Sequence, residues 1–100
     1  MKLGIFVNTD RHPDDLAGIT RAALSKGHEV VIFFMDSGTR LLGNPDIRNL
    51  CAEGCISMSF CDFDAKRLQV SLEGIPGEIV CGSQYDNAVM VNKSDRVIVL

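Results

Sequence analysis

The chain has 100 residues, of which 46% are hydrophobic, and its formal net charge is −3. A chain of this size and composition can bury a core as a single domain, residues 1–100, without a metal or a disulfide. Ten basic residues against thirteen acidic ones argue against a nucleic-acid or anionic-membrane partner, and the longest apolar run, Val30–Met35, is far shorter than the roughly 20 residues of a membrane helix.

The first third of the chain predicts a strand, a helix and a second strand. Leu3–Val7 and Val30–Phe34 are nearly continuous apolar runs, typical of strands that are covered on both faces. Between them, Pro13 suits the first position of a helix and Gly27 suits its end, and apolar residues recur at helical spacing.

The rest of the chain continues the alternation with shorter elements. The stretch Met35–Pro45 is rich in turn residues, and one helical turn is predicted in it at Thr39–Leu42. After it the pattern predicts a helix, a strand, a helix and a strand, then a helix opened by a Ser83–Asp86 capping box, and a last strand. Apart from the capped helix, the predicted bounds are Asp46–Glu53, Cys55–Phe60, Asp64–Val70, Glu78–Cys81 and Arg96–Leu100. Strands that alternate with helices indicate an α/β fold with a parallel sheet.

The carboxyl ends of parallel strands share one edge of the sheet, and ligands of such folds bind there. Four segments are predicted to meet at this edge: Asn8–Asp10, Met35–Gly38, Cys61–Asp62 and Cys81–Ser83. Two of the four cysteines therefore lie on the edge where chemistry is expected.

Cys61 is the leading candidate for a reactive residue. It follows the third strand and precedes a helix, so unpaired N–H groups at the helix start would stabilise its thiolate. Lys66 and Arg67 would add positive charge, whereas Asp62 would oppose it. The alternative interpretation is an inert, buried cysteine.

The other candidates at this edge are weaker. Cys81 has the same placement, after the fourth strand and before a helix, but it also suits simple packing. Asp10 beside His12 would suit a general base, and the alternative is that both belong to a helix start. No nucleotide motif is present, and we expect no cofactor.

Cys51 and Cys55 flank the opposite end of the third strand. With Cys61 they raise the hypothesis of a zinc site, but spacings of three and five residues do not form the two close pairs that are typical of structural zinc. We therefore expect no metal.

Three stretches resemble the DsrE/DsrF-like family of small sulfur-relay proteins. Lys26–Phe34 is similar to the family's K-G-H-x-V entry into the second strand, and Ile56–Cys61 is a strand that ends in cysteine at the position of the sulfur-accepting residue. Gly82–Val99 is similar to the closing G-S-…-A-D-R-V helix and strand. Together the stretches cover nearly the whole chain.

The resemblance implies a three-layer α/β/α sandwich with a five-stranded parallel sheet, in which Cys61 carries persulfide sulfur between donor and acceptor proteins. It makes the chain a candidate sulfurtransferase and a homo-oligomer, either a trimer or a hexamer. Some relatives lack the cysteine, so a second interpretation is a non-catalytic or regulatory partner. The family also places the third and fourth strands side by side. This raises a third interpretation, a redox sensor with a Cys61–Cys81 disulfide.

The four cysteines also bear on location. The N-terminal residues do not resemble a secretory signal, because one lysine is followed by a short strand-like run. Free thiols without an export signal are expected to stay reduced. We therefore expect a cytoplasmic protein.

Overall fold

The strands and helices alternate as the hydrophobic pattern predicts. A computed structural model describes all residues, Met1–Leu100. Its elements are β1 Lys2–Val7, α1 Pro13–Ser25, β2 Glu29–Phe34, α2 Pro45–Arg48, β3 Ile56–Cys61, α3 Asp62–Arg67, β4 Ile79–Gly82, α4 Gln84–Lys93 and β5 Arg96–Val99. Two 3₁₀ helices, Asp36–Gly43 and Asn49–Ala52, flank α2. No helix has the length and apolar character needed to cross a membrane.

The connections between β2 and β4 differ from their predicted bounds. The turn-rich stretch is mostly a 3₁₀ helix, and the helix predicted at Asp46–Glu53 divides into α2 and a 3₁₀ turn. The Asn44 side chain caps α2 by accepting the Asp46 N–H at 3.0 Å. The next helix, α3, begins directly at Asp62 and ends before Gln69, whose φ of 57° is incompatible with a continued helix.

All five strands are parallel, in the order β4-β3-β2-β1-β5. This confirms the predicted α/β fold with a five-stranded parallel sheet and the predicted proximity of β3 and β4. Val7 at the end of β1 pairs with Phe34 at the end of β2, and Cys61 pairs with Gly82 in the same way. The carboxyl ends of these strands therefore form one edge.

The direction of winding places most connections on one face of the sheet. From β1 to β4 each strand is added on the same side of its predecessor, so right-handed connections all lie on one face. The step from β4 to β5 runs back across the sheet, which puts α4 on the other face. We call these the covered face, to which Ile5 and Met58 point, and the open face, to which Gly4 and Ser59 point.

The main hydrophobic core lies on the covered face. Alternate residues of β1 to β4 pack there against α1, α2, α3 and the 3₁₀ helix Asp36–Gly43. Its strand members are Ile5, Val7, Val30, Ile32, Phe34, Met58, Phe60 and Ile79.

The open face has only a small core, which lies under α4. Its buried residues are Phe33, Cys61 and Met90. Gly4 allows α4 to approach β1, because a Cβ at this position would lie 2.6 Å from Oγ of Ser94. The molecule therefore has three layers, and the third layer is a single helix.

On both sides of α4 the open face is uncovered. Towards β4, Val80 is 54% exposed. Towards β5, Val97 is 38% and Val99 is 61% exposed, and Val91 on the adjacent flank of α4 is also exposed. We call Val91, Val97 and Val99 the valine flank.

Candidate functional site

The carboxyl edge contains a cavity that reaches Cys61. Its volume is about 490 Å³, and it lies between the ends of β2, β3 and β4 and the starts of α3 and α4. Its lining residues are Met35, Cys61, Phe63, Asp64, Gly82, Ser83 and Gln84. Three of the four segments predicted to meet at this edge therefore contribute to one cavity.

Cys61 is the last residue of β3, and it lies directly before α3. Its side chain points to the open face, where it packs with Phe33 and Met90, and the residue is only 4% exposed. The thiol makes no capping hydrogen bond to α3. It is therefore a buried, unbonded thiol in the wall of a cavity.

Two helices start at this cavity. Helix starts carry partial positive charge from unpaired N–H groups, which favours a nearby anion. At α4 the Ser83 N–H donates to Asp86 at 2.7 Å, and the Ser83 hydroxyl accepts the Tyr85 N–H at 3.2 Å, which confirms the predicted capping box. In the cavity lining, the Gln84 amide donates to Sδ of Met35 at 3.7 Å and connects α4 to the residue that follows β2.

Lys66 forms an ion pair with a carboxylate beside Cys81. Its Nζ lies 2.7 Å from Asp62, one helical turn back. This hydrogen bond lowers the pKa of Asp62 below its ordinary value. Desolvation raises the pKa of the Cys81 thiol, and its hydrogen bond to the Asp62 carboxylate raises it further. Lys66 thus belongs to a cluster around Cys81, where the thiol is held in its protonated form.

Arg67 is also bound by carboxylates. Its Nη2 donates to Asp36 at 2.8 Å and to Asp64 at 3.4 Å. Asp64 is largely buried and accepts the backbone N–H of Asp36 at 2.7 Å. Because Asp36 has a φ of 49°, which is rare outside glycine, this network holds the loop after β2 in a strained conformation beside the cavity.

Cys61 and Cys81 point to opposite faces of the sheet. In the β3–β4 ladder Phe60 pairs with Cys81, and Cys61 pairs with Gly82. Paired residues share a face and consecutive residues alternate, so Cys81 lies on the face of Phe60, the covered face. A disulfide needs Cβ atoms that face each other, which this register excludes. The predicted proximity of the two strands is correct, but the proposed disulfide is not compatible with it.

The other two cysteines lie at the opposite end of β3. Cys51 donates to Glu78 at 3.8 Å, and both its burial and this carboxylate raise the pKa of its thiol. Cys55 is exposed. The six residues of β3 separate this end from Cys61 by roughly 20 Å. No three Cys, His, Asp or Glu side chains come together in a group that could hold a metal ion.

Asp10 and His12 do not form a pair. Asp10 is half-buried in the loop after β1, and the exposed His12 lies 3.5 Å from Asp15 instead. His12 occupies the position before α1 without a capping bond from its side chain. Neither residue lines the cavity at Cys61.

Sequence reasoning missed Phe63, Asp64 and Gln84 as residues of this site. Phe63 is 72% exposed at the cavity, which is unusual for an aromatic side chain of this size. Its position in the first turn after the Cys61 strand was the one available signal. Asp64 and Gln84 enter the site only through the packing of α3 and α4 against neighbouring elements.

The fold is shared with a solved protein of distant sequence. The YchN protein from E. coli has a TM-score of 0.70 to this chain, with 11% sequence identity over 99% of this chain and 97% of that one. At this identity the likeness shows the architecture alone. No family model matches the chain, and no curated protein matches it.

Proposed function

We propose that the chain is a sulfur carrier that accepts sulfane sulfur on Cys61 and passes it on. The observation that carries the proposal is the placement of Cys61, which is the one thiol in the wall of the carboxyl-edge cavity. The fold and the position of this cysteine agree with those that the resemblance to the DsrE/DsrF-like family implies.

The transfer requires only a nucleophilic thiol and access to it. The Cys61 thiolate attacks the outer sulfur of a donor persulfide, R–S–SH; a new S–S bond forms on Cys61 as the donor bond breaks, and R–S⁻ leaves. The leaving thiolate takes up the proton that Cys61 gave up. An acceptor thiolate then attacks the outer sulfur and releases Cys61, so that no net oxidation occurs.

The surroundings of Cys61 support storage of a persulfide. At 4% exposure the outer sulfur would be shielded from bulk water and oxidants, within a cavity of about 490 Å³ that has room for one added sulfur atom. Because Lys66 and Arg67 are paired with carboxylates, thiolate stabilisation would come from the helix starts rather than from these cations.

Donor and acceptor proteins would approach at the carboxyl edge. Phe63 offers an exposed aromatic contact there, the kind of side chain that anchors interfaces. We place this exchange in the cytoplasm, where four free thiols would remain reduced.

The test is intact mass spectrometry after incubation with a low-molecular persulfide donor. We expect a gain of about 32 Da, one sulfur atom, that a reductant removes. Cys61→Ser should abolish the adduct. The matched control is Cys81→Ser, which removes an edge cysteine of the covered face and should leave the adduct unchanged. An adduct that persists in Cys61→Ser would refute the assignment.

The burial of Cys61 favours one alternative, a non-catalytic partner in which this thiol only fills the small core of the open face. Under this alternative, wild type would gain no sulfur. Cys61→Ala would then lower stability by a packing loss alone, without any effect on sulfur transfer.

We further propose that the chain is a homo-oligomer, assembled through the valine flank. Parallel sheets are normally covered on both faces, and here β5 is both an edge strand and exposed on the open face. Light scattering at micromolar concentration should give the mass of a multimer, and Val97→Lys should reduce it to that of a monomer. A monomeric wild type would refute assembly.

A further inference from the structure

A second cavity lies on the open face, on the side of α4 away from the valine flank. Its volume is about 280 Å³, close to the lower end of the roughly 300–1,000 Å³ that small-molecule sites occupy. β3 and β4 form its floor through Ser57, Ser59 and Val80, and α4 forms its wall through Val89 and Lys93. We call these five residues the serine groove.

The floor of the serine groove is polar where a parallel sheet is normally apolar. β3 is an interior strand, yet its open-face residues are Ser57, Ser59 and Cys61, whereas Met58 and Phe60 are buried on the covered face. Neither serine hydroxyl is hydrogen-bonded within the chain. Two free hydroxyl groups about 7 Å apart therefore face the cavity.

The walls of the groove are apolar in the middle and carry an unpaired lysine at one end. Val31 and Val80 on the sheet and Val89 on α4 line the middle. Lys93 and Lys2 lie at the end formed by the amino edge of the sheet, and Lys93 has no carboxylate within ion-pair distance, whereas Lys2 lies 3.7 Å from Glu29.

The negative groups near the groove are already engaged. At the amino edge the Asp95 carboxylate accepts the backbone N–H of Lys2 at 2.7 Å, and Glu29 pairs with the Lys2 side chain. The Asp86 carboxylate accepts the Ser83 N–H at 2.7 Å, and it lies two helical turns, about 10 Å, from Lys93. At the other end, Oγ and the backbone N–H of Ser94 both donate to the Met90 carbonyl, at 2.7 and 3.0 Å, which reduces the negative potential at the end of α4.

We propose that the serine groove binds a small organic carboxylate with an apolar body. The carboxylate would pair with Lys93, the apolar body would lie between Val31, Val80 and Val89, and the serine hydroxyls would fix its orientation. This proposal does not depend on sulfur transfer at Cys61, which lines the other cavity.

The test is NMR titration of the full chain with phenylacetate, and with phenylacetamide and phenethylamine as neutral and cationic analogues. Phenylacetate should bind in the millimolar range or tighter and shift the amide signals of Ser59, Val80 and Lys93. It should bind at least roughly threefold more tightly than either analogue, as expected for an exposed ion pair.

Matched variants separate charge from shape. Lys93→Met, which keeps the length of the side chain, should weaken phenylacetate binding roughly threefold, whereas Lys26→Met at the end of α1 should not change it. Ser59→Val should fill the groove and weaken binding at least about tenfold, with far-UV circular dichroism as the check on folding.

Four results would overturn the proposal. The first is no binding at 10 mM phenylacetate, which would mean a binding free energy weaker than about 3 kcal/mol. The second is equal binding of phenylacetamide, and the third is tighter binding of phenethylamine. The fourth is a change in oligomer mass in Ser59→Val. The last result would show that a second copy of the chain occupies the groove.

Discussion

The two faces of the sheet have the same strands but different cover. The covered face carries three connections and the main core, whereas the open face carries α4 and a core of three buried residues. The difference follows from winding, because four strands are added in one direction and only the return to β5 passes over the second face. A right-handed α/β fold of this size thus leaves part of one face free for binding.

The strand β3 shows the division within one element. Its covered-face residues, Met58 and Phe60, are buried and apolar. Its open-face residues are Ser57, Ser59 and Cys61, and they lead from the serine groove to the carboxyl-edge cavity. The candidate chemistry of the molecule therefore lies on the face that contributes less to its stability.

The largest expected effect is on stability, and it tests this division. Phe34→Ala on the covered face should lower the free energy of unfolding by about 3–5 kcal/mol, because it empties a fully buried site. Val80→Ala on the open face, outside the valine flank, should cost less than about 1 kcal/mol. Urea unfolding measures both. A comparable loss in Val80→Ala would show that this side of the open face is covered in solution.

A smaller effect is expected where α4 sits on β1. Gly4→Ala would place a Cβ 2.6 Å from Oγ of Ser94, so α4 must shift, at a cost of about 1–3 kcal/mol. The control is Gly18→Ala on α1, where a Cβ meets nothing within 4 Å and helix propensity should increase stability by about 0.5–1 kcal/mol. Urea unfolding should give the two changes opposite signs.

The Gly4→Ala substitution should also change the accessibility of the Cys61 thiol. Because Met90 of α4 covers this thiol, displacement of the helix should raise its accessibility. Faster alkylation of Cys61 in Gly4→Ala than in wild type would support this, and an unchanged rate together with unchanged stability would show that α4 is held elsewhere.

The fold was predictable from the sequence because its signals are local. Apolar runs such as Val30–Phe34, the Pro13 start and the Gly27 stop each determine structure within a few residues, and the alternation of elements then implies a parallel sheet. The bounds failed between β2 and β3, where two 3₁₀ segments flank a four-residue α-helix, and at α3, which begins directly after β3 rather than at Asp64.

The sequence predicted the edge of the sheet on which the candidate site lies, but not which side chains meet there. The period of two in β3 places Cys61 on the face of Ser57 and Ser59, but the face of Cys81 depends on the β3–β4 register, which involves two distant segments. The pairing of Lys66 with Asp62 was available from the i, i+4 spacing. The binding of Arg67 by Asp36 was not, because these residues lie 31 positions apart.

The pH dependence of alkylation at Cys81 tests the contact between this covered-face thiol and Asp62. Its pKa is raised by desolvation and then by Asp62, so less reactive thiolate is present at a given pH, and alkylation should be slow at pH 7 and accelerate as the pH rises. Asp62→Asn removes a negative charge, which lowers the pKa and should speed alkylation at pH 8 roughly two- to fivefold.

Peptide mapping by mass spectrometry follows the label at Cys81. Asp36→Asn is the matched control, because it removes a carboxylate that pairs with Arg67 rather than with Lys66. We expect no change in that variant. If Asp62→Asn left the rate unchanged as well, the hydrogen bond between Asp62 and Cys81 would not exist in solution.

The smallest expected effect is the absence of a crosslink between Cys61 and Cys81. It tests most directly whether the two cysteines lie on opposite faces of the sheet. Treatment with diamide should produce no Cys61–Cys81 disulfide within one chain, because the two side chains leave the sheet in opposite directions. The positive control is a chain with Ser59→Cys and Val80→Cys in which the native cysteines are replaced by serine. These positions are paired across the strands on the open face, about 4.8 Å apart.

Peptide mapping under non-reducing conditions should therefore show a crosslink in the engineered pair and none in the native one. A native crosslink would require β4 to slip by one residue, so that Cys81 pairs with Cys61 in place of Gly82. Such a slip would also turn Ile79, now buried in the main core, to the open face and move the exposed Val80 into the core. The crosslink would thus signal a second register of the edge strand, whereas its absence would leave Cys61 free for the proposed sulfur transfer.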